Sequence, residues 1–284
     1  MTLRIGHIDY LNCVPFFRYL ETDNCDVSVV HGTPARLNAL LGSGQLDLCP
    51  ASSFEYGRHW RNYLLLSDLS ISACGAVKSV LLFSSRPLAE LGRVPIALTG
   101  ESATSVHLLQ ILLREHCGFD NPHLYCPSST VEEVIAAGGT GLLIGDRALK
   151  AAQADLAPYV IDLGSWWHAF SGLPFVFALW IVRRDTVDER AEEVAILQQR
   201  LQAGLAQALA NLPALAAQTA DPSWMSGDEL LNYWRAMSFS LSAACQQGLK
   251  RFFQLAAKYQ FLDAVPELNF FTAPFSVDAS ELID

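Results

Sequence analysis

Short β-type runs alternate with helical segments from the first residues of this chain onward, and the β runs end in turns rich in hydroxyl and amide side chains. Leu3, Ile5 and Ile8 in "LRIGHID" mark a buried strand, after which Asn12 and Pro15 punctuate the turn into "FFRYLE", a helix start. "CDVSVVHGT" alternates as a second strand. Thr33 then stands as an N-cap before Pro34, with Leu37, Leu40 and Leu41 on the apolar face of the helix that follows. A third strand, "LDLCPASS", runs into Ser52 and Ser53. This order is that of an α/β sheet, and such sheets bind ligands beyond the carboxyl ends of their strands. At Asn12, Ser52 and Ser53 a turn or capping role and a ligand contact are therefore alternative readings.

The pattern then repeats. "CGAVKSVLLFSS" has the character of a long strand, "VPIALTG" is another, and "ESATSVHLLQILLREH" is a helix with Leu108, Leu109, Leu112 and Leu113 inward. Thr130 and Glu133 frame a capping box, and "TGLLIGDRAL" is a strand entering a helix. These segments predict a second lobe over residues 85–176. The β-rich run "GLPFVFALWIVRR" returns the chain to the first lobe, which is expected to be discontinuous, 1–84 with 177–284. From Thr186 onward the pattern is helical, with capping boxes at Thr186/Glu189 and Ser226/Glu229, a division at Pro222 and a break near Gly248. The final "SVDASELID" is expected to be a solvated end. Two α/β lobes joined by two long strands describe a hinged clamshell, with the ligand between the lobes.

Composition narrows the functional classes. With 284 residues, 51% hydrophobic and 17% charged, the chain has material for a large core and two domains. No run approaches the length of a membrane helix and no signal-peptide pattern opens the chain, so a cytoplasmic protein without a membrane partner is expected. Nineteen Lys and Arg against 29 Asp and Glu, a net charge of −10, argue against a nucleic-acid partner. An anionic ligand would have to be held by local dipoles and hydroxyls instead. The seven cysteines are scattered without a C-x-x-C pair, so neither a disulfide frame nor a zinc site is expected. The seven histidines form no H-x-x-x-H or H-E-x-x-H motif, and no metal is expected.

The strongest local signal is "TGESATS". Ser102, Thr104 and Ser105 place hydroxyls beside the free N–H groups of a helix N-terminus, which suits a carboxylate or phosphate as well as a simple cap. Ser79 in "VKSVLLF" is a lone hydroxyl in an apolar strand and needs a partner if buried; a core serine bonded to backbone is the local alternative. Asp146 follows a strand, where spacing favours an N-cap over a cleft role. Trp166, Trp167, His168 and Phe170 suit either an aromatic cleft wall or an interlobe joint. No Walker loop, G-x-G-x-x-G or G-x-S-x-G motif is present.

Together, "RIGHIDYLNCVPF", "GTPARLNALLGSGQLDLCPASSFEY", "LSISACGAVKSVLLFS", "IALTGESATSVHLLQILL", "IGDRAL" and "DLGSWWHAFSGLPFVFALW" resemble the chorismate dehydratases of the futalosine route to menaquinone, from residue 4 to about 185. The "YLN" turn at Tyr10–Asn12 separates this family from the sister dihydroxynaphthoate synthases. The resemblance implies a periplasmic-binding-protein-like type II clamshell, an α/β fold with a helical C-terminal region, used as a cytosolic lyase. It implies cofactor-free loss of water from chorismate to give 3-[(1-carboxyvinyl)oxy]benzoate, with Asn12 and Ser79 functional. Tyr10, Ser52, Ser53, Ser102, Thr104, Ser105 and Asp146 are the substrate-binding candidates that go with it. The diagnostic turns hold no ionisable residue suited as a base, which points to a substrate-assisted elimination. A monomer or homodimer is expected. The rival readings are a solute-binding-type protein for a small carboxylate and the sister synthase.

Overall fold

The structure is a computed structural model that describes residues 2–21 and 26–274. Two five-stranded sheets form two lobes. The first contains β1 (Leu3–Ile8), β2 (Val27–Gly32), β3 (Leu48–Ser52), β4 (Tyr63–Ala73) and β10 (Phe175–Arg183), in the order β2-β1-β3-β10-β4. The second contains β5 (Val80–Ser84), β6 (Ile96–Leu98), β7 (Leu124–Tyr125), β8 (Thr140–Ile144) and β9 (Tyr159–Asp162), in the order β7-β6-β8-β5-β9. The helices are α1 (Val14–Phe17), α2 (Pro34–Gly42), α3 (Ser53–His59), α4 (Ala103–Glu115), α5 (Val131–Ala136), α6 (Gly145–Gln153) and α7 (Leu163–Ser171). After β10 come α8 (Arg184–Ala210), α9 (Leu212–Thr219), α10 (Gly227–Arg235) and α11 (Ala243–Lys258). No helix of the described residues is long and apolar enough to cross a membrane.

The two sheets share one logic. In each, the strand that receives the chain from the other lobe runs antiparallel to both neighbours: β10 between β3 and β4, and β5 between β8 and β9. Both entering strands start at the crossing and run away from it. The strands parallel to one another therefore run toward the crossing and end there: β1 and β3 in one lobe, β6 and β8 in the other. Polar turns far apart in sequence thus converge on one cleft.

The expected helices at Pro34 and Ala103 form as the caps foretell. Thr33 accepts from Arg36 N–H, Ser102 accepts from Ser105 N–H, and capping boxes form at Thr130/Glu133 and Ser226/Glu229. Leu108, Leu109, Leu112 and Leu113 are fully buried.

Several boundaries differ from the expectations. The strand predicted across Val77 to Phe83 begins only at Val80, because residues 74–79 form the first crossing and Lys78 sits at φ 63°. Residues 80–84 consequently pair with the second sheet. The longest strand, β4, is hidden in the sequence because Asp68 at φ 59° and two register shifts against β10 break its alternation. The capping box expected at Thr186 does not form: α8 starts two residues earlier, without a side-chain cap, and bends at Arg190.

Gly248 does not break a helix. It lies inside α11, and the break falls earlier, between α10 and α11. What the glycine permits is close approach: a Cβ there would collide with the Pro174 carbonyl oxygen on the second crossing. The aromatic run before that crossing packs the joint between the lobes. Trp167 is fully buried, donates its indole N–H to Pro174 O at 3.2 Å and meets Phe175 and Phe252 edge-on. The predicted solvated end, 276–284, lies outside the described residues.

Replacing Gly248 by alanine should push α11 off the second crossing and cost about 1–3 kcal/mol. Urea unfolding of the variant beside the parent measures this, and an unchanged midpoint would show that the crossing yields freely.

Candidate functional site

The cleft between the lobes encloses about 520 Å³, part of it open to solvent. Its apolar wall comes from Ile8, Ile71, Val80, Ile144 and Phe177, and its polar groups are Tyr10, Asn12, Ser52, Ser79, Ser102 and Ser105. Among the described residues, no carboxylate, histidine, lysine or arginine lines it. An acidic chain has thus placed a neutral, donor-rich surface at the carboxyl ends of its strands.

The turn after β1 is held from three directions. Leu11 N–H donates to Asp146 Oδ1 at 3.1 Å, Leu11 O accepts the Trp234 indole N–H at 2.8 Å, and the Tyr10 hydroxyl donates to Glu101 Oε2 at 3.0 Å. The Tyr10 ring lies against Gly145. That residue has φ 59°, and a Cβ there would stand 2.8 Å from the ring, so glycine satisfies both the backbone and the contact. Burial, followed by the Glu101 carboxylate, pushes the Tyr10 phenol well above its usual range and keeps it a neutral donor.

Asn12 and Ser79 lie about one buried tyrosine. Tyr233 on α10 is fully buried and its hydroxyl donates to Ser79 Oγ at 2.9 Å, while the Asn12 amide bears on the same hydroxyl. Desolvation raises the Tyr233 phenol far above its usual range, so it too stays protonated. The Oδ1 of Asn12 is buried and has no hydrogen-bond partner.

The other predicted residues divide. Ser52 caps α3, accepts from Asn38 Nδ2 at 3.1 Å and faces the cleft; Ser102 and Ser105 bond each other at 2.9 Å and face it from the N-terminus of α4. Ser53, Thr104 and Asp146 do not line it. Ser53 is buried and donates to Val176 O at 2.7 Å, satisfying itself within the first lobe. Thr104 accepts Phe54 N–H at 2.9 Å and so ties α4 to α3 across the lobes. Asp146 does not cap α6, whose N-cap is Ile144. Its carboxylate instead crosses to Leu11, and burial raises its pKa.

Sequence reasoning missed Tyr233 and Trp234 and the network beyond Tyr10. Leu230, Tyr233 and Trp234 at i, i+3 and i+4 mark the buried face of a helix, which was available as a signal, but not what that face meets. Arg147, next to Asp146 and near the lining residue Gly145, donates to Glu101 Oε1 at 3.1 Å and to Glu132 Oε2 at 2.6 Å, so its charge is already paired. At the first crossing, Asp162 accepts from Val77, Lys78 and Ser165 N–H groups, fixing the segment that carries Ser79 to the start of α7.

Residues 3–258 match the family described as menaquinone biosynthesis. A chorismate dehydratase of Thermus thermophilus is 38% identical over 69% of this chain and 75% of its own length. One from Campylobacter jejuni is 31% identical over 61% of this chain and 64% of its own. Among solved structures, the periplasmic aliphatic sulphonate binding protein SsuA of Escherichia coli superposes with a TM-score of 0.68, at 14% identity, over 98% of this chain and 94% of that one. That likeness bears on the fold: both are clamshells of the periplasmic-binding-protein type.

Tyr233→Phe removes the donor that Ser79 receives and should cost about 0.5–1.5 kcal/mol in urea unfolding without loss of the fold. A cost near zero would mean that Ser79 does not depend on that hydroxyl.

Proposed function

This chain belongs to the menaquinone-biosynthesis family, and on that premise we propose that it is a chorismate dehydratase, a cytoplasmic hydro-lyase whose cleft converts chorismate to 3-[(1-carboxyvinyl)oxy]benzoate and water. The observation that carries the mechanism is that Asn12 and Ser79 meet in a cleft whose described lining residues include no carboxylate or histidine, with Ser79 held by the buried Tyr233 hydroxyl.

Chorismate carries two carboxylates, and the cleft offers neutral donors for them. Ser102 and Ser105 stand at the N-terminus of α4, where the helix dipole and the N–H groups without intrahelical partners favour negative charge. Ser52 faces them from the first lobe, beside Tyr10, whose own hydroxyl proton is committed to Glu101. Removed from water, such neutral dipoles bind a carboxylate without the cost of burying a competing protein charge.

The elimination breaks the ring C–O bond to the hydroxyl and the C–H bond on the neighbouring ring carbon that bears the ether. The electrons of the C–H bond become the new ring π bond, the hydroxyl leaves as water, and the ring becomes aromatic. With so large a thermodynamic drive, positioning does more than base strength. The proton goes first to the substrate's own enolpyruvyl carboxylate, which passes it on to the departing hydroxyl, so that water leaves and the carboxylate is regenerated. Asn12 and Ser79 orient that carboxylate and the departing hydroxyl, and the open Oδ1 of Asn12 supplies the acceptor that a hydroxyl or protonated carboxyl requires. Tyr233 is a positioning residue. It holds Ser79 and does not touch the reacting atoms.

Incubating the purified chain with chorismate, without metal or nucleotide, should yield a product lighter by one water, followed by chromatography and mass. Asn12→Ala and Ser79→Ala should each lower kcat/KM by about 10²–10³-fold. Chorismate bound and returned unchanged would favour a binding protein.

Asp146→Asn separates a substrate base from a protein base, because asparagine still accepts Leu11 N–H but takes no proton. Turnover should persist in that variant. Its abolition with chorismate binding intact would make Asp146 the base.

A further inference from the structure

On the first lobe, outside the cleft, β1 and β2 run parallel with His7 directly paired to His31. Side chains alternate along a strand, so His7 and Asp9 share a face, the one opposite Ile8, which faces the cleft. The two imidazole rings stand 4.6 Å apart, centre to centre, and one ligand atom each from His7, Asp9 and His31 falls within 4.8 Å of the others. Phe17 closes the inner side, its ring 4.0 Å from that of His7.

We propose that His7, Asp9 and His31 form a binding site for one divalent transition ion of the zinc type. One distance and one open nitrogen depart from an ordinary hydrogen-bond cluster. Asp9 Oδ1 lies 2.7 Å from His31 Nδ1, a hydrogen bond, but 3.5 Å from His7 Nδ1, at the outer limit of one. His7 Nδ1 is buried and without a hydrogen-bond partner. A closed network would have satisfied that nitrogen. An ion does so directly: ligands about 2.0–2.1 Å from a tetrahedral centre stand roughly 3.3–3.4 Å from one another, near the His7 to Asp9 spacing, and binding replaces the 2.7 Å Asp9–His31 hydrogen bond as the exposed His31 ring moves outward to that spacing.

The donor set selects the ion. Two imidazoles and a carboxylate suit zinc, copper or nickel, whereas magnesium and calcium require mostly oxygen ligands. The side chains of Asp9 and His31 are 54% and 62% exposed, so an ion has an open approach and water completes its coordination. Strand pairing preorganises two of the ligands. Asp9 is placed by its own N–H, which donates to Gly32 O at 3.3 Å at the end of β2.

The test is a titration of the chelator-treated protein with cobalt(II), read by visible absorption and then by competition with zinc. One ion per chain is expected, with ligand-field bands and no thiolate charge-transfer band. His31→Ala and Asp9→Asn should each weaken binding by at least the roughly 10–100-fold that even outer partners of a metal site contribute. His31 is exposed, so its variant should unfold at the parent's midpoint without metal, which separates lost binding from lost fold. A thiolate band would place the ion on cysteines such as Cys74 or Cys126 and overturn the assignment. So would undiminished affinity in His31→Ala, or the absence of saturable binding by the parent.

Discussion

The Tyr233 hydroxyl and the Trp234 indole, adjacent on one short helix, are the contacts on which the cleft depends. One bears on Ser79 at the crossing between the lobes and on Asn12, and the other holds the backbone of the turn that carries Asn12. Both side chains are fully buried, and each brings a polar tip that burial obliges it to satisfy. The helical C-terminal region is therefore part of the candidate site: without α10, the two most diagnostic polar residues would have no common anchor.

A second constraint is electrostatic. The chain is strongly acidic, yet the cleft is lined with hydroxyls, an amide and a helix N-terminus. Arg147 is committed to Glu101 and Glu132, and through Glu101 it steadies Tyr10. Charge is used to join the lobes, while neutral donors face the ligand. Where a bound ligand displaces water from the cleft, such dipoles act at low effective dielectric and need little reorganisation as charge moves.

Topology brings these groups together. Each crossing delivers an antiparallel strand into the middle of a sheet, which turns the carboxyl ends of the parallel strands toward the hinge. The same pairing produces the histidine pair on the outer face of the first lobe, since β1 and β2 align in parallel residue by residue. That cluster and the cleft share the end of β1 and use opposite faces of it.

The sequence by itself determined the local structure: caps at Thr33, Ser102, Thr130 and Ser226 start helices where they stand, because a capping bond spans only three residues. It also marked the hydroxyl-rich turns at Ser52 and Ser102–Ser105 and, through motif resemblance, Asn12 and Ser79. Tertiary structure alone decided which hydroxyls face the cleft. Ser52 and Ser53 are neighbours with the same chemistry, but one lines the cleft and the other is spent on Val176 O. It turned Asp146 from an expected cap into a bond across the lobes, and it paired His7 with His31. Capping and periodicity are properties of adjacent residues, whereas partners such as Tyr233 for Ser79 meet only when distant segments pack, and no local pattern records that meeting.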